Sequence, residues 1–241
     1  MIEFDNISKK YNDVSVIKNL SGKIEKGKCT AVIGPSGSGK STLIRILSLL
    51  EYPDSGTYRL DNSIEQIFPT SNKIHNSLIW PTISVVFQQL YLWPHLSLID
   101  NIRTVLLAND KYKPSTILEL NELLDYFDLK ELELRFPNQL SIGQRQMVAL
   151  IRALILEPDY LFLDEITASL DVEHIKKVKE VIEIQKSKGM GVLFATHLLG
   201  FASSLANSIW FIDNGELIET GSTEILTNPK TKRFKEFLSL N

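Results

Sequence analysis

Apolar residues recur along this chain with two spacings, and the two alternate. Near the N-terminus the spacing is two. Ile2-Glu3-Phe4-Asp5-Asn6-Ile7 alternates and Val14-Ser15-Val16-Ile17 is β-branched, with Tyr11-Asn12-Asp13 as a turn between two strands. Glu25-Lys26-Gly27-Lys28 is a tight turn into Cys29-Thr30-Ala31-Val32-Ile33, an apolar run short enough for a buried strand. The turn Pro53-Asp54-Ser55-Gly56 leads into a short strand through Tyr58 and Leu60. Ile83 to Gln88, Tyr160 to Leu163 and Gly191 to Thr196 read as further strands. Ile209 to Ile212 and Leu217-Ile218 flank Asn214-Gly215 as a hairpin.

Between these runs the spacing turns helical. The stretch opening at Lys40 has Leu43, Ile44, Ile46, Leu47 and Leu50 as its apolar positions. Ser115 to Phe127 carries Ile117, Leu118, Leu120, Leu123, Leu124 and Phe127, with Pro114 as a suitable start. Ser141 to Leu156 opens with Ser141 and Gln144 in a capping-box spacing, and Pro158 closes it. Asp171 to Lys188 is an amphipathic helix stopped by Gly189. The tail from Asn228 is short, helical and partly basic. Residues 61–82, with Pro69, Pro81 and scattered polar positions, are expected to be loop and broken helix. Strands alternating with helices predict an α/β domain, and 89–157 reads as an all-helical insert in it.

Composition adds bounds. The 241 residues allow one large domain or two small ones, and 44% hydrophobic with 23% charged residues is ordinary globular usage. A net charge of −3 gives no global reason to expect nucleic acid. Cys29 is the only cysteine, which excludes an internal disulfide, fits a reducing compartment and, within an apolar strand, predicts a buried thiol. Met1-Ile2-Glu3-Phe4-Asp5 lacks the basic and apolar regions of a signal peptide, and no uncharged apolar run approaches the ~20 residues of a membrane span. The expectation is a cytosolic chain that meets a membrane only through a partner.

Two stretches carry chemistry on their own. Gly34-Pro35-Ser36-Gly37-Ser38-Gly39-Lys40-Ser41-Thr42 sits between a strand and a helix, the context in which G-x-x-x-x-G-K-[ST] is a phosphate loop. Its glycines let successive N–H groups point inward as an anion nest, and the helix that follows adds free N–H groups and a positive dipole end. Lys40 is predicted to meet the β- and γ-phosphates of a nucleoside triphosphate, and Ser41 to give Mg²⁺ a hydroxyl. Downstream, Tyr160 to Leu163 delivers Asp164 and Glu165 at a strand end. Asp164 there suits a Mg²⁺ held mainly through water, and Glu165 suits a base polarising the attacking water.

The order of further motifs resembles a family. Leu140-Ser141-Ile142-Gly143-Gln144, at the head of a helix before the Asp164-Glu165 strand, looks like the Leu-Ser-Gly-Gly-Gln signature of ABC-transporter ATPases. The resemblance spans essentially the whole chain. Val86-Phe87-Gln88-Gln89 resembles the Q-loop, which implies that Gln88 contacts Mg²⁺ and the attacking water. Ala168-Ser169-Leu170-Asp171 resembles the D-loop, and Thr196-His197 the H-loop, whose histidine contacts the γ-phosphate. Tyr11 falls where the family stacks an aromatic on adenine.

What the resemblance implies is a single ABC ATPase domain over 1–241. A P-loop NTPase core with an antiparallel β subdomain occupies 1–88 and 158–241, and a helical subdomain carrying the signature motif occupies 89–157. It implies ATP and Mg²⁺ as cofactors. Two copies would pack head-to-tail, Ser141, Gly143, Gln144 and Asp171 of one facing the nucleotide of the other. It further implies permease subunits as partners and a peripheral place on the inner membrane face.

Two positions depart from the pattern. Ile142 stands where the signature has its first glycine, a costly choice if that position needs φ > 0 and a mild one if it needs only helical angles. Ile166 stands where a proline is common. Ser48 to Glu51, Gln89 to Ser97, and Asn228-Pro229 through Ser239 look like bacterial polar amino-acid importers, which implies an extracytoplasmic solute-binding protein in the full system. Asn62 to Thr82 departs from that type. The chain ends soon after Leu238, so a C-terminal regulatory domain like that of sugar importers is not expected. Two other readings stay open: an ATPase of a lipid or lipoprotein exporter or cell-envelope system, and a non-transport ABC ATPase.

Overall fold

The computed structural model describes residues 1–70, 79–167 and 169–240. The loop expected over 71–78, and Ala168 of the Ala168–Asp171 stretch, lie outside the described residues. The strands, in chain order, are β1 (Ile2–Tyr11), β2 (Val14–Ile24), β3 (Cys29–Ile33), β4 (Ser55–Leu60), β5 (Ile64–Phe68), β6 (Ile83–Val86), β7 (Tyr160–Asp164), β8 (Gly191–Ala195), β9 (Ser208–Asp213) and β10 (Glu216–Gly221). An antiparallel sheet runs β2-β1-β4-β5 and a second sheet runs β10-β9-β3-β8-β7-β6. In the second sheet all neighbours are parallel except β10, which returns antiparallel along β9 through the left-handed Asn214-Gly215 turn.

A parallel sheet is covered on both faces, so its strands read as unbroken apolar runs. Successive side chains point to opposite faces, and here they divide between two cores. Tyr160, Phe162, Leu193, Ala195, Val32, Trp210 and Ile212 join one core with Ile2, Phe4 and Tyr58 of the antiparallel sheet. Leu161, Leu163, Val192, Phe194, Ala31, Ile33, Ile209 and Phe211 join the other, which the helical region covers. The helix Lys40–Leu47 lies in the first core and buries Leu43, Ile44, Ile46 and Leu47 there. The helices Leu98–Ala108, Pro114–Tyr126 and Ile142–Leu154 bury Ile102, Leu106, Leu120, Leu124, Met147, Leu150 and Ile151 in the second. The C-terminal helix Lys232–Ser239 stacks Phe234 on Phe211 at 4.5 Å between ring centroids.

Three expectations are corrected. Residues 64–68 form strand β5, not loop or helix. Ile64, Ile67 and Phe68 are spaced i, i+3, i+4, which mimics a helix, but pairing with β4 overrides the pattern and leaves Ile67 on the surface. Leu50 does not continue the buried stripe of its helix. That helix ends at Leu47, Leu49 turns into the left-handed region, and Leu50 is 65% exposed. Leu118 also faces out, while Leu120, Leu124 and Phe127 carry the packing of their helix.

Candidate functional site

The parallel register brings distant stretches to one edge. Val32 pairs with Ala195 and Ala195 with Asp164, while Val86 pairs with Leu163 one step earlier. One residue or two beyond these pairs, the chain leaves the sheet as Gly34, Gln88, Glu165 and His197. An open α/β sheet presents its ligand crevice at this carboxyl edge. A cleft of about 390 Å³ opens there, lined by Ser36, Gly37, Gly39, Lys40, Ser41, Thr42, Gln88, Glu165 and His197, with Val16 at its side.

The loop Gly34–Thr42 is shaped by its glycines. A Cβ on Gly34 (φ +155°) would stand 2.0 Å from the Ile212 carbonyl oxygen, and one on Gly39 (φ +107°) 2.9 Å from that of Val16. Both positions therefore exclude side chains, and Gly39 also sits where the left-handed backbone favours glycine. The Lys40 ammonium curls back and donates to the carbonyls of Gly34 and Pro35 at 2.9 Å each. Burial lowers its pKa, against the pull of Glu165 and Asp164.

Asp164 is 4% exposed at the end of β7. Burial holds its carboxyl above the usual range, with Glu165 adding to the shift and a hydrogen bond from Ser41 opposing it. Its Oδ1 is buried without a hydrogen-bond partner. A buried carboxylate oxygen lacking a donor, beside a hydroxyl, is a donor set of hard oxygens that fits a small divalent cation. Glu165 adopts a left-handed backbone (φ 54°), its N–H donates to Ala195 O at 3.0 Å, and its Oε1 lies 2.7 Å from His197 Nε2. The next turns are tied together by buried Thr167 Oγ1 and Thr196 Oγ1 at 3.2 Å, while Leu198 N–H donates to Thr196 Oγ1 at 3.0 Å.

Tyr11 stands beside the loop, its phenol engaged by Glu51 and Thr42, and burial with Glu51 pushes its pKa up to about 12. Ser141, Gly143, Gln144 and Asp171 do not reach the cleft of their own chain. Ser141 caps its helix, its Oγ accepting from Gln144 N–H at 3.1 Å while Gln144 Oε1 accepts from Ser141 N–H at 2.9 Å. Ile142 is the first helical residue, outside the left-handed region and 53% exposed, so it carries no backbone strain. A Cβ on Gly143 would stand 3.5 Å from Leu170 Cδ2 and 3.6 Å from Ser169 O, so the signature helix abuts the 169–171 turn. Asp171 caps the following helix. Its Oδ1 accepts from His174 N–H at 2.8 Å and faces His174 Nδ1 at 2.8 Å, contacts that hold its carboxyl below the usual range.

The sequence reading missed Asn101 and Arg152. Asn101 is fully buried. Its Oδ1 accepts from Trp93 N–H at 2.8 Å and its Nδ2 donates to the carbonyls of Trp93, Leu96 and Ser97. Arg152 donates to the carbonyls of Leu90 and Tyr91 and lies over the Trp93 ring at 5.3 Å. They fix the segment after Gln88. Nothing in their spacing marks them, because each is one of several polar residues on an amphipathic helix. That segment borders a groove of about 490 Å³ lined by Leu50, Trp80, Phe87, Tyr91, Trp93 and Arg152.

A phosphate loop entering a helix, an acidic strand end beside it and a histidine from the intervening strand define a P-loop nucleotide-binding protein. The antiparallel sheet over the loop helix and the helical layer opposite narrow it to an ATPase cassette. The chain belongs to the ABC transporter family, which it matches over residues 17–168. It is 38% identical to the arginine transport ATP-binding protein ArtM of Bacillus subtilis (strain 168) over 240 residues, covering 99% of this chain and 98% of the relative. The glutamine transport ATP-binding protein GlnQ of Escherichia coli (strain K12) is 37% identical over 240 residues, with 99% and 98% covered. Among solved structures it is similar to the dimeric post-hydrolysis state of the ATP-binding cassette MJ0796 bound to ADP and Pi. That similarity has a TM-score of 0.82 at 29% identity, covering 92% of this chain and 99% of the other.

Proposed function

We propose that this chain is the ATP-hydrolysing subunit of an importer for polar amino acids. The observation that carries the transport reading is similarity over nearly the whole chain to amino-acid transport ATP-binding proteins. The geometry supports particular roles for the site. The loop amides and Lys40 hold the β- and γ-phosphates, and Tyr11 stacks on the base. Ser41, Gln88 and Asp164 would hold Mg²⁺, Asp164 mainly through water. When bound, the ion would neutralise charge at the phosphates. Glu165 takes a proton from the attacking water, and His197 positions Glu165 and meets the γ-phosphate.

Ser141, Gly143, Gln144 and Asp171 serve in trans. A capped helix N-terminus is an anion site, and the one at Ser141 does not line its own cleft, so a second, head-to-tail copy completes each nucleotide site. ATP then joins two copies and hydrolysis releases them, a two-state element biased by ligand. The groove of Leu50, Trp80, Tyr91 and Trp93 suits the cytoplasmic loop of a membrane permease, since aromatic anchors dominate such contacts. No helix among the described residues is long and apolar enough to cross a membrane. In this reading the chain works on the inner face through that permease, with a solute-binding protein on the far side.

The test is recovery of the tagged protein from native membranes in mild detergent. A small permease with a solute-binding protein that takes polar amino acids is the expected company. A permease with a large extracytoplasmic domain and no binding protein would replace import with export or envelope work, and ribosomes or repair factors would overturn transport.

A further inference from the structure

Lys9 is a hub of contacts at the end of β1, beside Tyr11. It lies two residues before Tyr11 on β1, across a register shift in the pairing with β2. Its ammonium sits 5.7 Å from the centroid of the Tyr11 ring, within cation–π range. It donates to the Tyr52 carbonyl at 2.7 Å and to Asp54 Oδ1 at 3.1 Å, and lies 3.5 Å from Glu51 Oε1. An ammonium has three donors, and three acceptors surround this one. Asp54 Oδ2 also accepts from Lys10 N–H at 2.7 Å, and Asp54 N–H donates to Ser8 O at 2.8 Å. The end of β1 is thereby fastened to the 51–54 segment that leaves the phosphate-loop helix.

We propose that Lys9 is a positioning residue for the nucleotide base. It occupies one face of the Tyr11 ring and ties that ring to the 51–54 segment that follows the helix carrying Lys40, Ser41 and Thr42, so that the other face is presented to the base at a fixed distance from the phosphates. The proposal rests on the reading of Tyr11 as the base-stacking residue. Only 15% of the Lys9 side chain is exposed, which matches a structural clamp and not a solvated charge. With its cation spent on Tyr52, Asp54 and Glu51, Lys9 acts on the base through Tyr11 and contributes nothing to the phosphates.

The experiment compares binding of ATP with binding of inorganic triphosphate, which has no base, in the full-length protein. Lys9→Gln keeps a donor for the 51–54 segment but removes the cation. It should weaken ATP about three- to tenfold while leaving inorganic triphosphate unchanged, and Lys9→Arg should restore ATP binding. Equal loss for both ligands, or no loss for ATP, overturns the proposal. Tyr11→Ala separates the two readings. If it lowers ATP affinity selectively and Lys9→Gln does not, only the role of Lys9 fails. If Tyr11→Ala leaves the ratio of the two affinities unchanged, base stacking itself fails.

Discussion

Glu165 Oε1 and His197 Nε2 are 2.7 Å apart, at the ends of neighbouring parallel strands. Glu165 reaches this place through a left-handed backbone (φ 54°), a conformation costly for a residue with a Cβ. Such strain is kept where the surrounding structure over-determines it, and here the Glu165 N–H to Ala195 O bond does so. The contact gives the proposed base an orienting partner.

Glu165→Gln should retain ATP binding and lose turnover by on the order of 100-fold or more, because it removes the proposed base and keeps the side chain's shape. The ATP-bound form should then accumulate as a dimer, read by size-exclusion chromatography with light scattering. A variant that still hydrolyses ATP at the wild-type rate would remove Glu165 from the base role.

Lys40→Ala should weaken ATP binding on the order of 100-fold, since it deletes a buried cation and the charge-assisted contacts proposed for it with phosphate. It also frees the Gly34 and Pro35 carbonyls that Lys40 holds. Calorimetric titration with ATP measures the loss, and wild-type affinity would reject the phosphate-loop assignment.

Asp164 links stability to pH. Its carboxyl sits above the usual range because it is buried, so between the ordinary aspartate value and the raised one the folded protein holds more protons than the unfolded chain. Stability of the ligand-free protein therefore falls as pH rises through that window. Asp164→Asn should remove this slope and raise Tm by about 2–4 °C at neutral pH, corresponding to ~1 kcal/mol, while ATP turnover is lost. Thermal melts across pH, with and without Mg²⁺, check both parts.

Ile142→Gly tests the departure in the signature motif. Ile142 has helical angles, so glycine relieves no strain and instead adds up to about 1 kcal/mol of helix cost. Turnover should change by less than about tenfold. A variant faster by orders of magnitude would mean that the exposed Ile142 side chain obstructs the site.

The sequence by itself determined several short-range features here. Gly34 to Thr42 between an apolar run and an amphipathic run is legible as a phosphate loop because the required backbone freedom and charge are local. The cap at Ser141 and Gln144, the stops at Pro158 and Gly189, and the Asn214-Gly215 hairpin are local for the same reason. Family resemblance then supplied Gln88, His197 and Tyr11, which spacing alone leaves ambiguous.

Only the tertiary structure decided the order β10-β9-β3-β8-β7-β6, which inserts β8 between the phosphate-loop strand and the Asp164 strand and so sets His197 against Glu165. Strand order depends on long-range pairing, and no run of residues encodes its neighbour across the sheet. The same holds for β5, whose helical spacing yields to its pairing with β4. It holds also for Asn101, Arg152 and Lys9, whose partners lie on backbone carbonyls, aromatic rings and carboxylates that the fold alone brings within reach.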